Sequence, residues 1–150
     1  IGFYCAPTDI AKLMVAAKQS VDLHTNSYGQ YLAAEYLKTK HLKKHLHNIL
    51  KIYKARQEAM FKALKKYFPK SFQWTHPEGG LFIWVTGPKN LDAVKLYWKA
   101  IKENVAFVPG TYFFAKPGQG KNTMRLNFSN VSEKQINFAI KKLSEIIKKI

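Results

Sequence analysis

Leu42, Leu46, Ile49, Leu50, Tyr53, Gln57, Met60, Phe61, Leu64 and Phe68 recur at helical spacing and trace one mostly apolar stripe, with lysines over the opposite face. No other feature restricts the fold as much. A helix from about Leu42 to Tyr67 is close to 40 Å long at ~1.5 Å per residue, longer than a small domain is wide. Pro69 ends it. Such a helix is expected to bridge two domains, which sets the organisation of the chain: helices before it, a compact unit after it.

The compact unit is centred on Lys121-Asn122-Thr123-Met124-Arg125-Leu126-Asn127-Phe128-Ser129. Apolar and polar residues alternate, the period of a half-buried strand. Met124, Leu126 and Phe128 face a core, and Thr123, Arg125 and Asn127 share the polar face. Arginine is scarce: Arg56 and Arg125 stand against twenty-three lysines. An arginine in mid-strand offers a planar fork of donors that grips a carboxylate or phosphate with two parallel hydrogen bonds. The alternative is an arginine paired with a neighbouring Asp or Glu, and the residues alone leave both readings open.

Composition narrows the class. A chain of 150 residues, 47% hydrophobic, suits one domain or one small domain with a piece of another. Cys5 is the only cysteine, so no internal disulfide forms, and a reducing, cytoplasmic compartment is the simplest inference. No apolar run approaches the ~20 residues that span a bilayer. Ile1, without methionine and in mid-pattern, reads as the cut end of a longer protein. The net charge of +16 invites a nucleic-acid reading. It is disfavoured because the lysines spread over nearly every helix, arginine is almost absent, and no nucleic-acid motif appears.

The remaining elements follow in order. Ile1–Ala6 reads as a short buried strand stopped by Pro7, with Cys5 inside it. Thr8 is the expected cap of a helix reaching about Asp22, with Ile10, Leu13, Met14, Ala17 and Val21 on one face. Asp22–Ser27 is a polar break, and Ser27 is read as the cap of a second helix through about Leu37. After the long helix come strands at 72–75, 81–86 and 105–108, a Pro77-Glu78-Gly79-Gly80 turn, a helix from Leu91 to Ile101, and a loop from Thr111 to Gly120. The 81–86 strand is apolar on both faces. Ser132 and Gln135 form a capping box for a terminal helix. The expected class is α/β, with an α+β small domain: a two-layer sandwich of about four strands and covering helices.

No catalytic constellation emerges from spacing. His41 and His45 share a helical face but lack the glutamate of a zinc protease motif and sit beside Lys43 and Lys44, so no metal site is assigned. Gly118-Gln119-Gly120-Lys121 lacks the spacing of a phosphate-binding loop.

Several blocks in one order carry a resemblance. They are Ile1-Gly2-Phe3, Ala6-Pro7, Pro77-Glu78-Gly79-Gly80-Leu81-Phe82-Ile83-Trp84, Val105-Ala106-Phe107-Val108-Pro109-Gly110, and Asn122 through Ser129. Together they resemble the C-terminal part of a fold-type I, class I/II pyridoxal-phosphate aminotransferase, in the 2-aminoadipate and aromatic aminotransferase-like branch. The resemblance implies that residues 1–45 are the tail of the cofactor-binding large domain and 46–150 the small domain, with a hinge near the long helix. It implies that Arg125 binds the substrate α-carboxylate, that Gly79, Gly80, Tyr112 and Phe113 lie near the substrate mouth, and that Thr25 and Asn26 lie near the cofactor phosphate and a dimer interface. It places the Schiff-base lysine upstream of Ile1, so this chain carries no catalytic residue of its own and is expected to be inactive alone. The implied parent is a homodimeric, cytoplasmic transaminase that uses pyridoxal 5'-phosphate to move an amino group between an amino acid and a 2-oxo acid. Two other classes stay open: the aminotransferase-like domain of a winged-helix transcription regulator, and a basic nucleic-acid-binding module.

Overall fold

A computed structural model of the chain describes residues 1–149. They fall into two compact units, Ile1–Asn48 and the residues from Ile49 onward.

In the first unit, α1 spans Thr8–Val21 and α2 spans Ser27–Lys38. Neither helix buries a residue, so the apolar spacing of Ile10, Leu13, Met14 and Val21 presents an exposed face. Ile1–Ala6 is not a strand, and Cys5 is exposed, contrary to the sequence reading. A strand needs a neighbour to complete its hydrogen bonds, and this segment pairs with none among the described residues. Two caps also differ by one residue. Pro7 holds the N-cap position of α1, so Thr8 is the first helical residue. The side chain of Asn26, not Ser27, caps α2 by accepting from Gly29 N at 2.8 Å.

The long helix α3 spans His41–Tyr67, as its stripe requires, and the division between the units falls inside it. Within the second unit it buries Met60, Ala63 and Leu64. The strands are β1 (Gln73–Trp74), β2 (Phe82–Thr86), β3 (Val108–Pro109) and β4 (Thr123–Asn127); α4 (Ala93–Ile101) lies between β2 and β3 in the chain, and α5 (Glu133–Ile147) follows β4. The sheet is antiparallel throughout, in the order β1-β2-β4-β3. Ile83, Val85, Met124 and Leu126 share one core with Met60, Leu64, Leu96, Ile136, Ile140 and Leu143 from the three helices. Burying each such side chain stabilises the fold by about 1.5–3 kcal/mol. This is the two-layer α/β sandwich expected from the sequence.

Local chemistry sets the element ends. Asp92 caps α4 by accepting from Val94 N and Lys95 N, so the helix starts after Leu91. The Ser132–Gln135 capping box opens α5 as read from sequence. Arg56 donates to the Ser129 carbonyl and ties α3 to the chain leaving β4. Two strands are shorter than expected. The pairing of β3 is confined to Val108 and Pro109, while Val105 and Phe107 are buried without joining the ladder, and β1 keeps only Gln73 and Trp74. In β2 the two faces are unequal: Ile83 and Val85 are fully buried, and Phe82 is exposed.

Candidate functional site

Strand β4 sits inside the sheet, flanked by β2 and β3, and its alternation sends Met124 and Leu126 into the core. Arg125 therefore projects from the opposite face. Its cross-strand neighbours are Trp84 on β2 and Val108 on β3. Phe82, two residues before Trp84, lies on the same face.

The surroundings of Arg125 are aromatic. Its guanidinium carbon lies 3.9 Å from the centre of the Phe82 ring and 4.6 Å from that of Phe113. Phe113 also meets the Trp84 ring edge-on at 5.4 Å, with Phe114 at 6.2 Å from Trp84. No carboxylate among the described residues lies within ion-pair distance of Arg125. Its Nε is buried and has no hydrogen-bond partner among the described residues. Burying a polar group without a partner costs about 1–3 kcal/mol, more for a charged one. Arg56 differs: its guanidinium is committed to a backbone carbonyl. Of the two arginines, Arg125 alone has a buried donor left over among the described residues.

The turn that carries Phe113 is seated by two glycines. Gly110–Phe113 forms a single 3₁₀ turn directly after β3. A Cβ on Gly110 would come 1.8 Å from Thr123 Oγ1 and 3.0 Å from the Thr123 carbonyl carbon. Gly120, at φ +68°, lies where a Cβ would strike the Phe114 ring at 2.4 Å. The Thr123 hydroxyl donates to the Gly120 carbonyl at 2.8 Å, closing the loop on itself. Thr111 Oγ1, in the same turn, is a second buried polar atom without a partner among the described residues.

The profile of the family described as "Aminotransferase class I and II" matches residues 1–143. The chain belongs to that family. Over 148 residues it is 45% identical to aromatic-amino-acid aminotransferase 1 of Thermococcus litoralis, covering 99% of this chain and 35% of the relative. It is 37% identical to the 2-aminoadipate transaminase of Thermus thermophilus, covering 99% of this chain and 37% of that protein. The fold superposes on a crystal structure of Pyrococcus horikoshii kynurenine aminotransferase, in complex with PMP, with a TM-score of 0.87 at 48% identity, over 95% of this chain and 35% of the other. More distantly, the uncharacterized HTH-type transcriptional regulator YisV of Bacillus subtilis is 27% identical over 100% of this chain and 30% of its own length. The chain thus spans about a third of the length of the relatives it matches.

In this aminotransferase chain the other expected site residues are placed as follows. Phe113 touches Arg125, while Tyr112 is 72% exposed beside it. Gly79 and Gly80 form the exposed turn leading into Phe82, and Gly80 has φ +84°. That turn is held to α3 by Gln57, which donates to the Pro77 carbonyl at 2.9 Å, and by His76 stacked on Phe61 at 4.7 Å. Thr25 and Asn26 belong to the first unit. The Asn26 amide oxygen is engaged as the α2 cap, and the Thr25 carbonyl accepts from Gln30 Nε2 at 3.0 Å. Thr25 also lines a cavity of about 720 Å³ with Phe3, Tyr4, Met14 and Val21. A second cavity, about 480 Å³, lies among Leu126, Val131, Ile136, Phe138 and Ala139. Arg125 lines neither; it lies half-buried on the sheet face opposite the core.

Sequence reasoning did not single out Phe82 and Trp84 as partners of Arg125. Their alternation on β2 was readable, but their pairing with β4 depends on a register set by long-range contacts.

Proposed function

We propose that this chain is the substrate-clamping part of a pyridoxal-phosphate transaminase, with Arg125 binding the α-carboxylate of an amino acid or 2-oxo acid. One observation carries the reading: a half-buried guanidinium whose Nε has no partner among the described residues and which no described carboxylate neutralises. A planar carboxylate meets that requirement with two parallel charge-assisted bonds. Residues 1–45 are assigned to the end of the large domain and 46–150 to the small domain. Gly79, Gly80, Tyr112 and Phe113 are assigned to the substrate mouth. Thr25 and Asn26 are assigned to the neighbourhood of the cofactor phosphate. The exposed apolar faces of α1 and α2 fit burial against the rest of a homodimeric enzyme.

The residues present do not fit covalent attachment of the cofactor. A lysine that holds an aldehyde must be desolvated or otherwise activated. Among the described residues every lysine is exposed except Lys18 and Lys142, which are half-buried and paired with Asp22 at 2.7 Å and Glu103 at 3.5 Å. No step is therefore assigned to a lysine of this chain. What the chain supplies is binding and orientation: Arg125 holds the acid end of the substrate, and the ring-lined face beside it limits the directions from which that end can be hydrated.

The test is transamination by the full-length protein with Arg125→Lys. Lysine keeps the charge and loses the fork. Loss of the pair is expected to lower kcat/KM by about a hundredfold or more, which corresponds to about 3 kcal/mol. An unchanged kcat/KM for both amino acid and 2-oxo acid would refute the assignment. A regulator of the winged-helix class would instead bind amino acids through Arg125 without turnover, so the same assay separates the two.

A further inference from the structure

Resting on the carboxylate reading of Arg125, we propose that Phe82 and Phe113 are positioning residues that set the plane of the guanidinium while leaving its donors free.

An arginine side chain has four rotatable bonds, and its fork binds a carboxylate only along an edge. Something must hold the plane before the ligand arrives. The usual solution is a protein carboxylate or carbonyl, but each such partner occupies the N–H groups that the ligand needs. Neither is recorded at Arg125 among the described residues. Two ring faces stand there instead, at 3.9 Å and 4.6 Å from the guanidinium carbon. An aromatic quadrupole attracts a cation without accepting its N–H donors in strong hydrogen bonds. The rings can therefore orient the group and leave its hydrogen-bonding capacity intact.

Both rings are held from outside the site. Phe82 is part of β2, opposite Asn127 of β4. Phe113 packs edge-on against Trp84, and its turn is seated by the close approach of Gly110 to Thr123. The two rings add little to the core: Phe82 is 38% exposed and Phe113 46% exposed. A packing role alone would make their replacement by leucine nearly silent. A seating role makes it costly for ligand binding.

The chain suits a direct spectroscopic test because it has only two arginines. Its arginine Nε–H region holds two signals, and Arg56→Lys assigns them. In the native chain the Arg125 signal is expected to be shifted upfield by the rings and to move when L-norleucine is added, but not with L-norleucinamide, which lacks the carboxylate. In Phe82→Leu and Phe113→Leu the upfield shift is expected to shrink, and the L-norleucine affinity to fall about tenfold. Phe82→Tyr and Phe113→Tyr restore both, which a loss of packing would not explain. Leucine variants that keep the native Arg125 signal and native affinity would overturn the proposal. If the native chain shows no response to L-norleucine, the carboxylate reading fails on that observation. The seating is then judged by the ring shift alone: its persistence in both leucine variants refutes it, and its loss with recovery in the tyrosine variants upholds it.

Discussion

Gly110→Ala links the fold to the site through one atom. The added Cβ would lie 1.8 Å from Thr123 Oγ1, 2.8 Å from Thr123 Cβ and 3.0 Å from the Thr123 carbonyl carbon. A rotation of the hydroxyl relieves only the first contact, since Cβ and the backbone belong to β4. Thr123 is 7% exposed, so β4 or the 3₁₀ turn must shift. Overpacking of this kind costs about 1–3 kcal/mol. Rotating the Thr123 hydroxyl away from the Gly120 carbonyl leaves that buried hydroxyl unpaired, while the carbonyl keeps its bond from Thr123 N, and adds about 1–3 kcal/mol. The sum is roughly 4 kcal/mol, a large share of the ~5–15 kcal/mol by which domains are stable. Urea unfolding followed by the fluorescence of Trp74, Trp84 and Trp98 measures it. With a slope of about 2 kcal/mol/M, the midpoint is expected to fall by about 2 M with the slope unchanged. Gly2→Ala is the control, because nothing lies within 4 Å of its added Cβ. A fall of less than about 0.5 M for Gly110→Ala would refute the close-approach reasoning. A destabilised variant that still folds at low urea is also expected to show a displaced Phe113, read as loss of the Arg125 ring shift.

Three further substitutions probe the frame that holds β4. Arg56→Met removes a charge-assisted bond to the Ser129 carbonyl and should lower stability by about 1.5–3 kcal/mol, measured by the same urea titration; an unchanged midpoint would show that bond to be idle. Ser132→Ala breaks the capping box of α5 and should cost about 1 kcal/mol, with protection from amide exchange lost first in the opening turn of that helix. Leu64→Ala, at a position with no solvent exposure on α3, should cost about 2–5 kcal/mol; a calorimetric loss under 1 kcal/mol would mean the core closes differently.

Elements carried by local chemistry were legible in the sequence. Met124, Leu126 and Phe128 are buried as their alternation requires, and Ser132 and Gln135 form the box that their spacing implies. The stripe of α3 was legible as a helix but only partly as burial: Met60 and Leu64 are covered, whereas Leu42, Leu46 and Leu50 are exposed. Periodicity reports that a face is apolar, not what covers it. The same limit explains Ile1–Ala6, whose composition suits a strand that finds no partner here. Asn26 and Ser27 are both good caps, and a single side-chain geometry decided between them. At the site, Arg125 stood out by its residue type and its place in the strand. Its ring neighbours did not, because Phe82 reaches it through strand pairing and Phe113 through a loop fold twelve residues upstream. The unpartnered Nε was not legible either, since the absence of a nearby acid is a fact of three dimensions.

The most direct measurement is titration of the native chain with L-norleucine, followed at the Arg125 Nε–H resonance, with L-norleucinamide as one control and Arg125→Lys, which lacks that resonance and is followed by backbone amide shifts around residue 125, as the other. A single clamp on an open face is expected to bind weakly, in about the millimolar range, or about −4 kcal/mol. The account predicts a saturable shift of the Arg125 signal with the acid, none with the amide, and loss of binding in Arg125→Lys. Equal responses to acid and amide, or binding undiminished in Arg125→Lys, would contradict it.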